Sequence, residues 1–301
     1  LQGVMGKYFA LSQGFEEDVA NSVSEHYLPI GLTSNLPKKP FSYSISIVDK
    51  IDTLVGFFII DEKPTSSKDP FALRRSAIGL LRIIIENKLI FKLRDLINYS
   101  TKLYEHQGVQ IKNDKVELQV LSFIKDRMRN ILKQRKIKTD IIEASISSHS
   151  GDNFLDLYKK TILMNKHIKK EVGMNAVNSY KRAANILDKE NKSISGRPDA
   201  VLFRKIEEKQ LYEKINEIRK AFTVKDSNKD YEDLLIKLSH TKDSTDNFFD
   251  NVVVNDENQD IKNNRLELLK LFCNTFDNFI DFSKLEGFKW QKKFLVLTIN
   301  L

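Results

Sequence analysis

Apolar residues recur at three- and four-residue steps through most of this chain, a period that suits helices and defeats strands. In residues 45–60, Ile45, Val48, Ile51, Val55, Phe58 and Ile59 fall on one helical face. Residues 71–86 are apolar on more than one side through Ile78, Leu80, Leu81, Ile83, Ile84 and Ile85, which predicts a buried central helix. Asp69 is suited to cap that helix, with Pro70 at its first position, where a missing N–H costs nothing. Further helices are expected over 88–106, 115–134, 138–147, 152–171, 174–190, 199–222, 229–239 and 260–281, with Asp199 capping the 199–222 helix. Only 11 Gly and 6 Pro occur in 301 residues, too few for a turn-rich β protein or a glycine-loop α/β protein. The fold class is all-α, and the length suits two domains. The polar stretch EHQGVQIKND (105–114) sets the expected boundary, giving 1–105 and 106–287. The apolar, β-prone run 288–301 forms an atypical tail.

Charge narrows the function. There are 49 Lys+Arg against 41 Asp+Glu, a net +8, yet six acidic and no basic residues lie between Asp243 and Asp260. The remainder is therefore more strongly cationic than the net figure. Its densest part is KDRMRNILKQRKIK (125–138), with Lys125, Arg127, Arg129, Lys133, Arg135, Lys136 and Lys138; a second cluster holds Lys159, Lys160, Lys166, Lys169 and Lys170. Clustered cations of this kind suit a phosphate backbone, although a charge run also serves as an ordinary solvated helix face.

No catalytic constellation accompanies the charge. Cys273 is the single cysteine, so a disulfide framework or cysteine zinc site is excluded within the chain, and its apolar neighbours predict a core thiol. His26, His106, His149, His167 and His240 have no metal-ligand spacing, and none is followed by Asp. Phosphate-cradling GxxxxGK[ST] and GxGxxG loops are missing, as is GxSxG. Asp49 and Asp52 share a helix face and read as surface groups rather than metal ligands. No apolar run approaches the roughly 18 residues of a membrane span. The opening residues carry no basic n-region, and the chain is expected to be an internal piece of a longer, cytoplasmic protein.

Two stretches carry a more specific signal. Residues 49–86, DKIDTLVGFFIIDEKPTSSKDPFALRRSAIGLLRIIIE, resemble the signature of the β subunit of bacterial heterotetrameric glycyl-tRNA synthetase, with Ser66 where that family usually has Gly. LQGVMGKYFA at the start and EHYLP at 25–29 resemble its upstream segment. FIKDRMRNIL, IKTDIIEAS, SYKRAANIL, LYEKI, FFDNVVV, NRLELLKLF and FSKLEG then follow in the order of that family's C-terminal half. The resemblance implies a degenerate HD-like helical bundle followed by a DALR-type anticodon-binding helical bundle. It implies no catalytic residue, metal or cofactor in this chain, with ATP and Mg²⁺ at a separate α subunit. The implied partners are tRNA(Gly) and that α subunit in a hetero-oligomer, without a membrane.

The matching motif residues are Asp49, Asp52, Lys68, Asp69, Pro70, Arg74 and Arg75. Arg74 and Arg75 are expected to pair with the Asp49/Asp52 face or to reach phosphate, and Phe71, Leu73 and Leu80 to anchor the corner. Candidate tRNA contacts are Lys125, Arg127, Arg129, Lys133, Arg135, Lys136, Lys181, Arg182 and Arg265, with Phe248 and Phe249 able to stack bases from an acidic loop or to close the core. Rival readings are an HD-type metal phosphohydrolase, which requires a His-Asp dipeptide this chain lacks, and a non-catalytic helical scaffold for another protein.

Overall fold

The computed structural model describes residues 3–285 apart from 32, 66, 112, 149–151, 191–193 and 224–229. The 288–301 tail and His149 lie outside the described residues. Among those described, thirteen α-helices and two short 3-10 turns occur, with no strand. The chain divides into two compact units, residues 1–136 with 152–155, and 137–151 with 156–301.

The first unit holds α1 (Val4–Ser12), α2 (Glu17–Glu25), α3 (Pro40–Ile59), α4 (Leu73–Glu86), α5 (Leu93–His106) and α6 (Val116–Gln134). Its core is the expected central helix: Leu73, Ala77, Leu80, Leu81, Ile83 and Ile84 of α4 are all buried. Helix α3 packs on it through Ile47, Ile51, Leu54, Val55, Phe58 and Ile59. Ile45 and Val48, expected on that same face, lie on the outside, 42 % and 62 % exposed. Helix α4 begins at Leu73, three residues later than expected. Pro70 and Phe71 form a turn, Ala72 is left-handed (φ 57°), and the Asp69 carboxylate reaches past them to accept from the amides of Leu73 (2.9 Å) and Arg74 (3.1 Å). Asp69 thus caps the helix from outside the usual position.

The division falls at 136/137, whereas the polar composition of 105–114 suggested 105/106. The described residues of that stretch belong to the end of α5 and to the connection before α6, whose apolar face packs on α3, α4 and α5. Helices α1 and α2 were not foreseen. Gly6 lets them approach: a Cβ there would sit 2.7 Å from Val23 Cγ1.

The second unit comprises α7 (Thr139–Ile146), most of α8 (Phe154–His167), α9 (Glu171–Leu187), a 3-10 turn (Ala200–Leu202), α10 (Ile206–Phe222), α11 (Tyr231–Ser239), α12 (Thr241–Asn251), α13 (Gln259–Asp277) and a second 3-10 turn (Phe282–Lys284). The expected 199–222 helix is interrupted: Asp199 caps the 3-10 turn by accepting from Val201, and α10 starts afresh at Ile206. Where an acidic loop was expected, α12 is helical. Its sequence, TKDSTDNFFDN, is poor in helix formers, but Thr241, Thr245 and Phe248 recur at helical spacing on a fully buried face, so packing overrides propensity.

The floor of the second unit is aromatic, with Tyr180, Phe272, Phe276, Phe279 and Phe282 buried together. Against it lies Asp277, near the Tyr180 hydroxyl and the Phe282 amide, with one buried carboxylate oxygen unpartnered. Burial, reinforced by the charge of Asp281, raises its pKa to about 6. A carboxyl raised in the folded state binds its proton more tightly there, so its favourable contribution is complete below about pH 4 and is lost as pH rises through about 6. Asp277→Asn should therefore melt higher than wild type at pH 8, by an amount on the order of 2 kcal/mol, and the gap should close at pH 4. Thermal melts across that range provide the check, and parallel melting curves for the two proteins would contradict it.

Candidate nucleic-acid interface

The basic cluster separates into two kinds of cation. Inside α6, Lys125 is half-buried, and burial followed by the neighbouring Arg129 and Arg94 charges lowers its pKa, with Asp152 opposing. Arg127 lies over the Phe123 ring at 5.0 Å, its Nε buried without an acceptor. Arg129 pairs with Asp126. These three serve the packing of the helix. Past them, Lys133, Arg135, Lys136 and Lys138 are exposed around the C-terminus of α6, where Lys136 turns left-handed (φ 60°). A helix C-terminus favours cations, so part of this clustering has a local cause. In the second cluster Lys160 is buried, bonding Asp156 (2.9 Å) and the Asn278 carbonyl (3.0 Å), while Lys159 faces the Tyr231 ring and Lys166 pairs with Glu232. Lys169 and Lys170 are exposed.

The candidates further along the chain are engaged by neighbouring groups, and one of them is buried. Lys181 donates to the Leu285 carbonyl (2.8 Å). Arg182 pairs with Asp246, lies 3.8 Å from Asp250 and covers the Phe249 ring at 4.8 Å. Phe248 is fully buried, so it closes the core and cannot stack a base; Phe249, meeting it edge-on, is half-buried. Arg265 requires correction as a tRNA contact. It is 4 % exposed, its Nε donates to Glu208 (2.7 Å), and its Nη1 donates to the Val253 carbonyl (2.8 Å) and to Asp256 (2.7 Å). Helix α13 turns this residue inward, and no base edge can reach it.

What α13 does with its polar residues is more informative. The Glu267 carboxylate accepts from the amides of Ser195 (3.1 Å), Gly196 (2.5 Å) and Arg197 (2.8 Å) and from the Ser195 hydroxyl (2.8 Å). Burial pushes its pKa up, but those bonds outweigh it and hold the carboxyl below the ordinary range. Asn264 accepts from the Asp199 amide (2.6 Å) and donates to its carbonyl (2.8 Å). Glu208, fully buried, accepts from the amides of Arg204 (2.7 Å) and Lys205 (2.6 Å) while receiving Arg265. Gly196 is left-handed (φ 77°), and a Cβ there would meet Asn274 at 2.8 Å. Loop 194–205 is thus fastened to α13 and α10 through six of its backbone amides. Sequence reading missed Asn264, Glu208 and Glu267; only Glu208, three residues into the helix from Lys205, carried a capping signal.

The first unit shows the same economy in its motif. Lys50, within DKIDTLVG, is 4 % exposed, and its ammonium donates to the His26 carbonyl (3.0 Å) and to Ser46 Oγ (2.7 Å), which itself donates to the Leu28 carbonyl (2.6 Å). Burial lowers its pKa to about 8. Lys50 therefore ties the EHYLP segment to α3 and physically connects the two matching stretches. Asp49 and Asp52 are exposed, with Asp52 accepting from Tyr104 (3.1 Å). Arg74 donates to the Thr65 carbonyl instead of pairing with those carboxylates, and Arg75 and Lys68 are exposed. Phe71 stacks on Phe57 at the surface, while Leu73 and Leu80 are buried. Among the described residues no three His, Cys, Asp or Glu side chains are grouped to hold a metal, and no helix is long and apolar enough to cross a membrane.

Comparison with known proteins also finds two parts in the chain, with the first running past 136. A family model described as glycyl-tRNA synthetase beta subunit matches residues 1–147, and one described as DALR anticodon binding domain matches 176–286. The glycine–tRNA ligase beta subunit of Rickettsia africae (strain ESF-5) is 38 % identical over 285 residues, covering 95 % of this chain and 41 % of that protein. That of Rickettsia felis is 39 % identical and that of Rickettsia prowazekii 38 %, with the same coverage. The chain spans about two-fifths of the length of these relatives.

The Glu208–Arg265 pair yields a stability test. Removing one member of a buried ion pair strands the other, at a cost of about 3–5 kcal/mol. Arg265→Ala should lower the urea midpoint of the second unit accordingly, while Lys169→Ala, at an exposed position of the same unit, should leave its stability within about 0.5 kcal/mol. Equal effects of the two substitutions would overturn the assignment of Arg265 to the interior.

Proposed function

The chain belongs to the glycyl-tRNA synthetase β-subunit family, and from that premise we propose that it is the tRNA-holding portion of a cytoplasmic glycine–tRNA ligase. In this reading it holds tRNA(Gly) and its anticodon loop while a separate α subunit, its partner in a hetero-oligomer, supplies the site for ATP, Mg²⁺ and glycine. The observation that carries the reading is the match of 176–286 to an anticodon-binding domain in the same chain as outward-facing cations. This chain's part is to bind and orient: exposed ammonium and guanidinium groups neutralise phosphates and release their counterions, which sets affinity and register. Proximity of a held acceptor strand to an activated amino acid is then the catalytic contribution.

The phosphohydrolase alternative would need metal donors that converge. Asp49 and Asp52 point outward, and the His26 ring is bonded to the Val23 carbonyl (2.8 Å), so these groups do not form such a set. The scaffold alternative predicts that the exposed cations contribute nothing to RNA affinity.

Titration of glycine-accepting tRNA into the chain at several salt concentrations separates the readings. Binding should weaken steeply with salt, and Lys133→Ala/Lys136→Ala should reduce the slope of log K against log salt by about 0.7–0.9 for each phosphate that is no longer neutralised. An unchanged slope would leave Lys133 and Lys136 as solvated helix-end residues. The chain alone, given ATP and glycine, should form no glycyl-adenylate in a pyrophosphate-release assay; turnover that co-purifies with it would contradict the division of labour.

A further inference from the structure

Loop 194–205 is a largely exposed segment held by polar side chains, of which Glu208, Asn264 and Arg265 are buried and Glu267 is partly so. Glu267, Asn264 and Glu208 take up the amides of Ser195, Gly196, Arg197, Asp199, Arg204 and Lys205, and Arg265 fixes Glu208 in turn. Asn264 and Glu267 are three residues apart on α13, about one turn, so the loop's two halves are pinned side by side. Ordering a backbone costs conformational entropy, which here is offset by these bonds and by Phe203, buried edge-on against Tyr212 (5.4 Å), while the outermost positions of the loop take no part in that packing. Those positions face solvent: Arg197, Arg204, Lys205 and Lys209 are exposed, Val201 is 86 % exposed and Ile206 61 %.

We propose that this loop and the start of α10 form the surface that receives the single-stranded loop of an RNA. Arg197, Arg204 and Lys205 meet its phosphates, and Val201 and Ile206 pack on unstacked bases and ribose. The inference rests on the tRNA-binding reading and deepens it by naming the surface. Charge favours RNA as the occupant. Among the described residues Arg197, Arg204, Lys205 and Lys209 take part in no ion pair, and Glu208 is buried in its pair with Arg265, so four cations stand against the two accessible acids of the segment, Asp199 and Glu207. Guanidinium groups match phosphate oxygens in bidentate geometry, and aliphatic faces complement splayed bases. The acids of the adjoining 255–260 segment, Glu257 and Asp260, are exposed and repel phosphate, which confines the footprint to the Arg197–Lys205 side. A preorganised loop also avoids an ordering cost at the moment of binding.

The test uses the whole 301-residue chain with two probes, glycine-accepting tRNA and its isolated anticodon stem-loop. Arg204→Ala/Lys205→Ala and, separately, Val201→Asp should each weaken binding of both probes by about tenfold or more. Melting temperatures should stay unchanged, because all three side chains point outward. If the wild-type chain binds the stem-loop and both variants bind it equally well, this surface assignment is overturned while the tRNA-binding reading stands. If the wild-type chain binds neither probe at low salt, the tRNA-binding reading fails and the inference with it. Variants that keep RNA affinity but no longer associate with the α subunit would make the loop a protein-binding face and would also overturn the proposal.

Discussion

The buried contact between Arg265 and Glu208 is the interaction on which the fastening of loop 194–205 in the second unit depends. Two charges removed from water are stable only where their remaining hydrogen-bonding capacity is used, and here it is. Arg265 also engages the Val253 carbonyl and Asp256, while the other oxygen of Glu208 takes two backbone amides. The pair thereby joins the start of α10, the loop after α12 and the body of α13. Lys50 performs the equivalent task in the first unit, with a lone buried ammonium holding the carbonyl of His26. In both units a buried ionisable residue inside a matching stretch, Lys50 in the first and Arg265 in the second, holds backbone carbonyls in place.

This arrangement explains which parts of the structure were legible in the sequence. Helix α4 could be read because its apolar residues cover more than one side, a pattern that survives any choice of neighbours. Helix α3 was legible as a helix, but its inward face was misjudged. Ile45 and Val48 are as apolar as Ile47 and Ile51, and only the position of α4 and α2 decides which are covered. Helix α12 was hidden because Thr241 and Thr245 are buried for shape rather than hydrophobicity, and neither carries a helix signal in isolation. The division at 136/137 was obscured by polar composition at 105–114, which marks a turn as readily as a domain boundary.

The candidate site was legible as chemistry and not as geometry. The basic stretch 125–138 could be found by composition, yet its first half is committed to Phe123, Asp126 and the helix interior, and only Lys133 onward is presented to solvent. Arg265 drew attention as a cation within a matching motif. Its burial depends on Glu208, fifty-seven residues away in sequence, which no local pattern links to it. Glu267 and Asn264 gave no signal because acidic and amide residues on a helix are ordinarily solvated; their role follows from the loop they face.

Hydrogen–deuterium exchange resolved to single amides measures the fastening of loop 194–205 directly on the chain alone. Ser195, Gly196, Arg197, Asp199, Arg204 and Lys205 should exchange slowly despite lying in an exposed loop, because each amide is bonded to Glu267, Asn264 or Glu208. Ala200, whose amide takes no part in those bonds, should exchange faster than its neighbours. Exchange of all these amides at the rate of an unstructured chain would contradict the claim that buried charge positions this loop.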